Sequence, residues 1–308
     1  MKARLKIGLA LGSGAARGWA HIGVLKALEA AKIRPDIVAG SSIGALVGAA
    51  YAAGNMTVLE QALMKLTRLQ TARYFTINTG FTGFINQQRL HAFLSEYVAD
   101  EALQINDLQV KYANVATQLT TGREVWHTSG SVLDSVWASM AVPGLFPAVK
   151  IDHRWLVDGG LVNPVPISVC RALGADVVIA VNLNGDIVGK HFEQNLQQTV
   201  PAGQTSDELN ILDKLSDYVG RQKERLFPGE PEEQQPPALF DTIAASINIA
   251  QDRITRSRMA GDPPDVLIQP RLSHIGLLEF YRAAEAIEEG YACVEKILPD
   301  IELCLDRG

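Results

Sequence analysis

The sequence has few of the residues that stabilise secreted or metal-bound proteins. Its 308 residues include only three cysteines. An odd number of cysteines without regular spacing excludes a disulfide framework. None of them lies in a Cys-x-x-Cys pair or near a histidine at metal-ligand spacing, so we expect no metal and no cofactor. Free thiols are typical of a reducing compartment, and we therefore predict a cytoplasmic location.

Runs of basic residues and long hydrophobic runs are also absent. The net charge is −6, with 28 Lys and Arg against 34 Asp and Glu, so we expect no nucleic acid partner. Residues 7–11 are too short for a signal sequence. Residues 37–53 are interrupted by glycines and serines, and we interpret them as a strand turning into a helix. Peripheral contact with a membrane stays open.

Strand and helix signals alternate along the first half of the chain. An apolar run at residues 5–11 is followed by a glycine loop at 12–18 and by helical spacing at 20–31. Residues 37–40 then indicate a second strand and 43–53 a second helix. Such a βαβα order predicts an α/β fold with parallel strands and helices packed on the sheet faces.

The composition changes after this region. Residues 191–205 are rich in Gln and Asn, and residues 228–237 form a proline-rich acidic linker. We predict one domain over residues 1–308, with a partly flexible, partly helical insertion at 186–262. The insertion ends in a helix near 239–259 with a basic tail of Arg253, Arg256 and Arg258. This tail offers a contact for a partner or membrane, but an amphipathic helix packed on the domain is the favoured interpretation.

The strongest candidate for chemistry is the segment Gly40-Ser41-Ser42-Ile43-Gly44, which fits the G-x-S-x-G pattern of a nucleophile elbow. An elbow holds its serine on a tight turn between strand and helix, where side chains two positions away would collide. Glycines at both positions meet that requirement. The turn also places the serine at a helix N-terminus, where backbone N–H groups favour developing negative charge. We therefore predict Ser42 as a nucleophile.

A second candidate is the glycine loop, which consists of Gly12, Ser13, Gly14, Ala15, Ala16, Arg17 and Gly18. Small residues let backbone N–H groups approach an oxygen ligand at a strand end. The ligand would be a dinucleotide pyrophosphate or a tetrahedral oxyanion. Gly18 falls one place late for the dinucleotide pattern, and no acidic residue closes the second strand. The oxyanion is therefore favoured, with Arg17 adding positive charge.

A serine nucleophile needs a base. Asp158-Gly159-Gly160 follows a predicted strand and offers a carboxylate on an open turn, although Asp-Gly is also a common hairpin turn. Histidine is the other choice, and the chain contains His21, His91, His127, His153, His191 and His274. These residues by themselves leave the identity of the base open.

Four segments occur together in one order: LGSGAARGWAHIGVLKAL, PDIVAGSSIGALVGAAYAAG, ASMAVPGLFPAV and LVDGGLVNPVP. Together they resemble the patatin-like phospholipases, and most closely the small bacterial members related to the catalytic domain of neuropathy target esterase. A late segment, PPDVLIQPRLSHIGLLEFYRAAEAIEEGY, is also similar to the family. The resemblance covers about residues 5–185 and 263–298. Four motifs in order are far more specific than any one of them.

The resemblance implies an α/β three-layer sandwich and a Ser–Asp dyad that works without histidine or metal. In this sequence Ser42 would attack an acyl carbonyl, Asp158 would act as its base, and the loop at 12–18 would supply the oxyanion hole. The substrates would be fatty acyl esters of phospholipids or lysophospholipids. Ser13 and Ala15 depart from the family's loop, where glycines are usual, which puts the width of the oxyanion hole in doubt.

Two alternatives remain beside this reading. The order Ser42, Asp158, His274 matches that of an α/β-hydrolase triad and would give an esterase or thioesterase. Against it, His274 precedes a predicted helix, where capping and exposure explain it. The other alternative is a lipid-responsive regulatory or binding protein with little turnover. Intact candidates for nucleophile and base favour an enzyme over that alternative.

Overall fold

A computed structural model describes residues 4–74, 87–186 and 239–306. At its centre is a mixed sheet with strands β1 (Ile7–Leu11), β2 (Ile37–Ser41), β3 (Lys111–Gln118), β4 (Glu124–His127), β5 (Val149–Ile151), β6 (Arg154–Asp158), β7 (Val177–Val181) and β8 (Val266–Ile268). The strand order is β5-β6-β3-β2-β1-β7-β8, and β4 also pairs with β3. Strands β3, β2, β1, β7 and β8 run parallel, while β4 and β6 are antiparallel to β3.

Helices cover both faces of the sheet. They are α1 (Ala20–Ala30), α2 (Ile43–Ala52), α3 (Met56–Leu63), α4 (Arg68–Tyr74), α5 (Gln87–Tyr97), α6 (Val132–Ser139), α7 (Ile167–Ala172), α8 (Leu239–Gly261) and α9 (Ala283–Asp306). Helices α1, α2, α6 and α9 share the larger apolar core, and α7 shares a smaller core with the end of α8. The predicted α/β three-layer sandwich is therefore confirmed.

The central strands are apolar because both of their faces are covered. Every residue of β1, β2 and β7 is buried. Successive side chains of a strand point to opposite faces, so Leu9 and Leu11 enter the larger core while Ala10 enters the smaller one. Residues 37–53, which imitate a membrane segment in the sequence, form β2, the elbow and α2. None of the helices described here has the length and apolar character needed to cross a membrane.

The last helix extends further than the sequence indicates. The apolar spacing of residues 280–298 predicts a closing amphipathic helix. In the structure this segment begins with a 3₁₀ turn at Phe280–Arg282 and continues as α9 to Asp306, with Pro299 inside it. Proline removes one helical hydrogen bond and normally ends or kinks a helix. Beyond it, however, Ile301 is fully buried in the larger core. Tertiary packing of this last segment therefore outweighs the local preference.

The predicted insertion is only partly described. Residues 187–238, including the linker at 228–237, lie outside the described parts of the chain. The helix predicted near 239–259 is observed as α8. Two of its three arginines have partners within the chain, because Arg258 forms an ion pair with Glu124 and Arg256 with Asp252. This last part of the predicted insertion is thus packed on the domain, with Asn248, Gln251 and Thr255 buried.

Two strands meet end to end along one edge of β3. Ser41, the last residue of β2, pairs with Val115, while Asp158, the last residue of β6, pairs with the next residue, Ala116. The opposite edge of β3 is occupied by β4. Because β2 and β6 approach from opposite directions, their carboxyl ends arrive at the same point. This arrangement brings the segments with the two candidate catalytic residues together.

Candidate active site

Ser42 occupies a sharp turn between β2 and α2. Its backbone adopts φ 55° and ψ −123°, a conformation that costs on the order of 1–3 kcal/mol for a residue with a side chain. A Cβ at Gly40 would collide with the carbonyl oxygen of Gly44, and a Cβ at Gly44 would collide with that of Leu11. The two glycines of the predicted elbow are thus required by close backbone approach. Ser42 precedes α2 without capping it, which leaves its hydroxyl available.

The hydroxyl of Ser42 donates a hydrogen bond to Asp158. The distance from Ser42 Oγ to Asp158 Oδ2 is 2.5 Å. The second carboxylate oxygen accepts the N–H of Gly160 at 2.7 Å, and the carbonyl of Asp158 accepts the hydroxyl of Thr117 at 2.8 Å. Asp158 is 1% exposed. The carboxylate is therefore held in one orientation, away from water and against the serine.

Burial dominates the acidity of Asp158. Loss of solvation raises the pKa of its carboxyl from 3.8 to about 6, although the hydrogen bonds from Ser42 and Gly160 lower it. Below that pH the carboxyl is protonated, and above it the carboxylate is free to accept a proton. A carboxylate with a pKa near the working pH is a better general base than an ordinary aspartate, whose pKa lies further below neutrality.

The glycine loop leads from β1 into a 3₁₀ turn beside α2. The N–H groups of Gly12, Ser13 and Ala16 each donate to a carbonyl elsewhere in the chain. Among the described residues, no acceptor is found for the N–H groups of Gly14 and Ala15. Two adjacent N–H groups without an acceptor form the kind of site that binds an oxyanion. Gly18, the last residue of the loop, packs against Ile43, which directly follows the candidate nucleophile.

Two buried side chains, His21 and Arg17, form hydrogen bonds with carbonyl groups of the loop. His21 is fully buried, and its Nε2 lies 2.7 Å from the carbonyl oxygen of Gly12. Burial lowers the pKa of His21 to about 4, so the ring is neutral at pH 7 and donates to that carbonyl. Arg17 donates to Gly14 O and to Asn248 Oδ1, both at 3.2 Å. Burial lowers its pKa to about 10, which leaves a positive charge within the loop at neutral pH.

A further serine, which none of the motifs singles out, fixes the elbow. Ser139 Oγ accepts the N–H of Ser42 at 2.9 Å and donates to the carbonyl of Val115 at 2.6 Å. It therefore ties the turn to β3. Ser139 lies in the family-like segment ASMAVPGLFPAV. This segment is the part of the sequence that points to Ser139, but it does not reveal which of its residues contacts the elbow.

The histidine of the alternative triad has other partners. His274 Nε2 lies 2.6 Å from Glu285 Oε1, and the side chain of His274 is 43% exposed. The carbonyl of His274 accepts a hydrogen bond from Arg282. The carboxylate of Asp158 is bonded instead to Ser42 and Gly160. The geometry thus gives no support to a Ser42, Asp158, His274 triad.

An apolar cavity begins beside the elbow. It is lined by Trp19, Ile43, Leu46, Leu66, Thr71, Tyr74, Leu90, Phe93, Met140, Phe146 and Phe280. Ile43 directly follows Ser42, and Met140 directly follows Ser139. All but one of the lining side chains are hydrocarbon, aromatic or thioether groups, so the cavity suits an apolar ligand. In the described parts of the chain, no group of three or more His, Cys, Asp or Glu residues is placed to hold a metal ion.

The fold and the paired serine and carboxylate together define an α/β protein with a candidate hydrolase site. The family model of the patatin-like phospholipases matches residues 9–171, which is more than half of the chain. The chain belongs to the patatin-like phospholipase family and is a lipid ester hydrolase. The matched region contains the loop, the elbow and the Asp-Gly-Gly turn.

Relatives place the chain in the branch related to neuropathy target esterase (NTE). An uncharacterised NTE family protein of Mycobacterium tuberculosis is 30% identical over 98% of this chain and 94% of the relative. The patatin-like phospholipase domain-containing protein 6 of Homo sapiens is 35% identical over 58% of this chain but only 13% of its own length. Lysophospholipase NTE1 of Pyricularia oryzae is 30% identical over 92% of this chain and 18% of its own length.

Replacement of Ala15 by glycine should stabilise the protein. Ala15 has φ 50°, a left-handed conformation that costs a residue with a Cβ about 1–2 kcal/mol. Ala15→Gly removes that strain at the cost of a more flexible unfolded chain, so we expect a net gain of about 1 kcal/mol in unfolding free energy. Urea denaturation measures this change. Ala16→Gly is the control, because Ala16 lacks the positive φ and its replacement should destabilise. A lower unfolding free energy for Ala15→Gly would contradict the strain argument.

Proposed function

We propose that the protein hydrolyses fatty acyl esters of lysophospholipids or phospholipids with Ser42 as nucleophile and Asp158 as base. The observation that carries this proposal is the 2.5 Å hydrogen bond from the Ser42 hydroxyl to a buried carboxylate. The raised pKa of Asp158 supports its role as a base near neutral pH. The partnering of His274 with Glu285 argues for a dyad over a triad.

The first half of the reaction forms an acyl-enzyme. Asp158 takes the proton of the Ser42 hydroxyl as Oγ attacks the ester carbonyl. The carbonyl oxygen becomes an oxyanion, which the N–H groups of Gly14 and Ala15 stabilise, aided by the charge of Arg17. When the tetrahedral intermediate collapses, the alcohol leaves with the proton from Asp158. The acyl group is then an ester of Ser42.

The second half releases the fatty acid. A water molecule gives a proton to Asp158 and attacks the acyl carbonyl, and a second oxyanion forms at the same N–H groups. Collapse of this intermediate breaks the bond to Ser42, whose Oγ takes back the proton from Asp158. The dyad returns to its starting state, and no redox change or cofactor is involved in the scheme.

The apolar cavity supports a lipid substrate. Ile43 lines the cavity and directly follows Ser42, so an acyl chain bound in the cavity would have its carbonyl near Ser42. The relative from Pyricularia oryzae is named as a lysophospholipase, which agrees with this substrate class. A cytoplasmic location and peripheral contact with a membrane stay predictions.

Ester hydrolysis by matched variants tests the dyad. On p-nitrophenyl esters and a lysophospholipid, we expect Ser42→Ala to lower kcat/KM by about 10⁴-fold or more, because the nucleophile is lost. Asp158→Asn should lower it by about 10³-fold, since the amide keeps the shape of the carboxylate but cannot accept the proton. His274→Ala should stay within about twofold of the wild type.

Three other outcomes would change the conclusion. A loss in His274→Ala as large as that in Asp158→Asn would restore the triad. Labelling by a fluorophosphonate at a residue other than Ser42 would refute the assigned nucleophile. A wild-type protein inert on esters of every chain length and on lysophospholipid would favour the regulatory or binding alternative.

The pH dependence of activity tests the base. Because burial raises the pKa of Asp158 to about 6, we expect kcat/KM to be low below that pH and to rise through it as the carboxyl ionises. His274→Ala should leave this profile unchanged, since its ring does not contact the dyad. A rise near pH 4, as for an exposed aspartate, would contradict the buried base.

A bulky side chain in the cavity should change the acyl preference. Leu66 lines the cavity and is only partly buried, so Leu66→Trp would fill space that a long chain needs. We expect kcat/KM for a long-chain p-nitrophenyl ester to fall about tenfold while the acetate ester is hydrolysed normally. Leu69→Trp, at a half-exposed position on the neighbouring helix α4, is the control. Equal losses on both esters would contradict an acyl role for the cavity.

A further inference from the structure

A buried polar cluster joins helix α8 to the glycine loop. Its centre is Gln251, which is 7% exposed. Gln251 Oε1 accepts the hydroxyl of Ser13 at 3.0 Å and the Nδ2 group of Asn184 at 3.0 Å. Asn184 Nδ2 also lies 3.4 Å from the carbonyl oxygen of Ser13. One turn earlier on α8, Asn248 accepts a hydrogen bond from Arg17. Two residues of α8 thus bind two residues of the loop.

The same glutamine touches the turn that carries Asp158. A Cβ placed on Gly160 would lie 2.5 Å from Gln251 Nε2 and 3.1 Å from Ser13 Cβ. The N–H of Gly160 is the donor to Asp158 Oδ1. Gln251 therefore packs between the loop with the unpaired N–H groups and the turn that orients the base. It lies outside residues 9–171, the region that the family model matches.

Ser13 explains why the loop needs this contact. Its hydroxyl is buried, with only 2% of the residue exposed, and a buried hydroxyl without a partner is costly. Gln251 supplies that partner, while the N–H of Ser13 donates to the carbonyl of Pro164 at 2.8 Å. Ser13 is therefore held from both sides. The next two residues, Gly14 and Ala15, carry the N–H groups without an acceptor.

We propose that Gln251 is a positioning residue that acts through Ser13 to hold the N–H groups of Gly14 and Ala15 in the orientation that stabilises the oxyanion. This inference rests on the proposed function. Donors that are fixed before the reaction stabilise developing charge without reorganisation, and they need supporting hydrogen bonds to stay fixed. The contribution of Gln251 should therefore appear in the transition state more than in substrate binding.

The test compares kcat and KM on a p-nitrophenyl ester. Gln251→Met keeps the length of the side chain and removes its acceptor, so we expect kcat to fall about tenfold with KM unchanged. Thr255→Val is the matched control, because Thr255 lies one turn further along α8, is 2% exposed and has a hydroxyl without a partner in the described chain. Its kcat should stay within about twofold of the wild type.

A double-mutant cycle separates positioning from a general loss of stability. Ser13→Ala removes the same hydrogen bond from the other side and should give a similar fall in kcat. In the Ser13→Ala background, Gln251→Met should lower kcat by less than a further threefold or so, since the hydrogen bond is already lost. The Ser13→Ala variant also keeps the inference testable if Gln251→Met fails to fold.

Two results would overturn the inference: a Gln251→Met variant with the kcat of the Thr255→Val control, or the same tenfold loss with and without Ser13. Wild-type turnover that depends on Ser42 is established first. Failure of the proposed function would appear in that first measurement as an inert wild type, whereas failure of this inference would appear only in the variants.

Discussion

The site depends on the meeting of β2 and β6 along one edge of β3. A strand that ends in the middle of a sheet normally leaves backbone groups unpaired, but here β6 continues the pairing of β3 where β2 stops. The meeting point holds a serine after one strand and a carboxylate at the end of the other. Because the sheet fixes both backbones, the 2.5 Å contact between Ser42 and Asp158 needs no mobile segment to form it.

Burial at this point has two opposing effects on Asp158. Removal from water raises the pKa of its carboxyl, and hydrogen bonds from Ser42 and Gly160 lower it again. Burial is the larger effect, so the folded protein keeps a weakly acidic carboxyl next to a strained serine. Both features lower stability, and the large apolar core on the α1, α2, α6 and α9 side offsets them. The destabilising features therefore lie at the candidate site and not in the rest of the fold.

The glycine loop is supported differently from the pair formed by Ser42 and Asp158. Strand pairing fixes β2 and β6, whereas the loop is held by single backbone hydrogen bonds and by buried side chains. His21 and Arg17 form hydrogen bonds with its carbonyl groups, and Asn248 and Gln251 of α8 accept hydrogen bonds from its side chains. Where the family's loop usually has glycine, this chain has a serine with a buried partner and an alanine in a left-handed conformation. Ser13 therefore adds a buried hydrogen bond to the loop, whereas Ala15 adds backbone strain.

The sequence by itself determined the elements whose signals are local. The elbow pattern, the short glycine loop and the alternation of apolar strands with helices depend on residues close together in the chain, and the fold class and the identity of Ser42 as candidate followed from them. The partner of that serine could not be chosen from the residues alone, because Asp158 and His274 both stand in a plausible order. The family resemblance favoured Asp158, and the tertiary structure placed it against the serine.

Tertiary structure alone revealed Ser139 and Gln251 as contacts of the site, since their neighbours lie 97 and 238 residues away in the chain. Tertiary packing also extends α9 past Pro299, because the burial of Ile301 outweighs the tendency of proline to end a helix. Local patterns specify backbone geometry, but only the folded chain decides which buried polar groups meet.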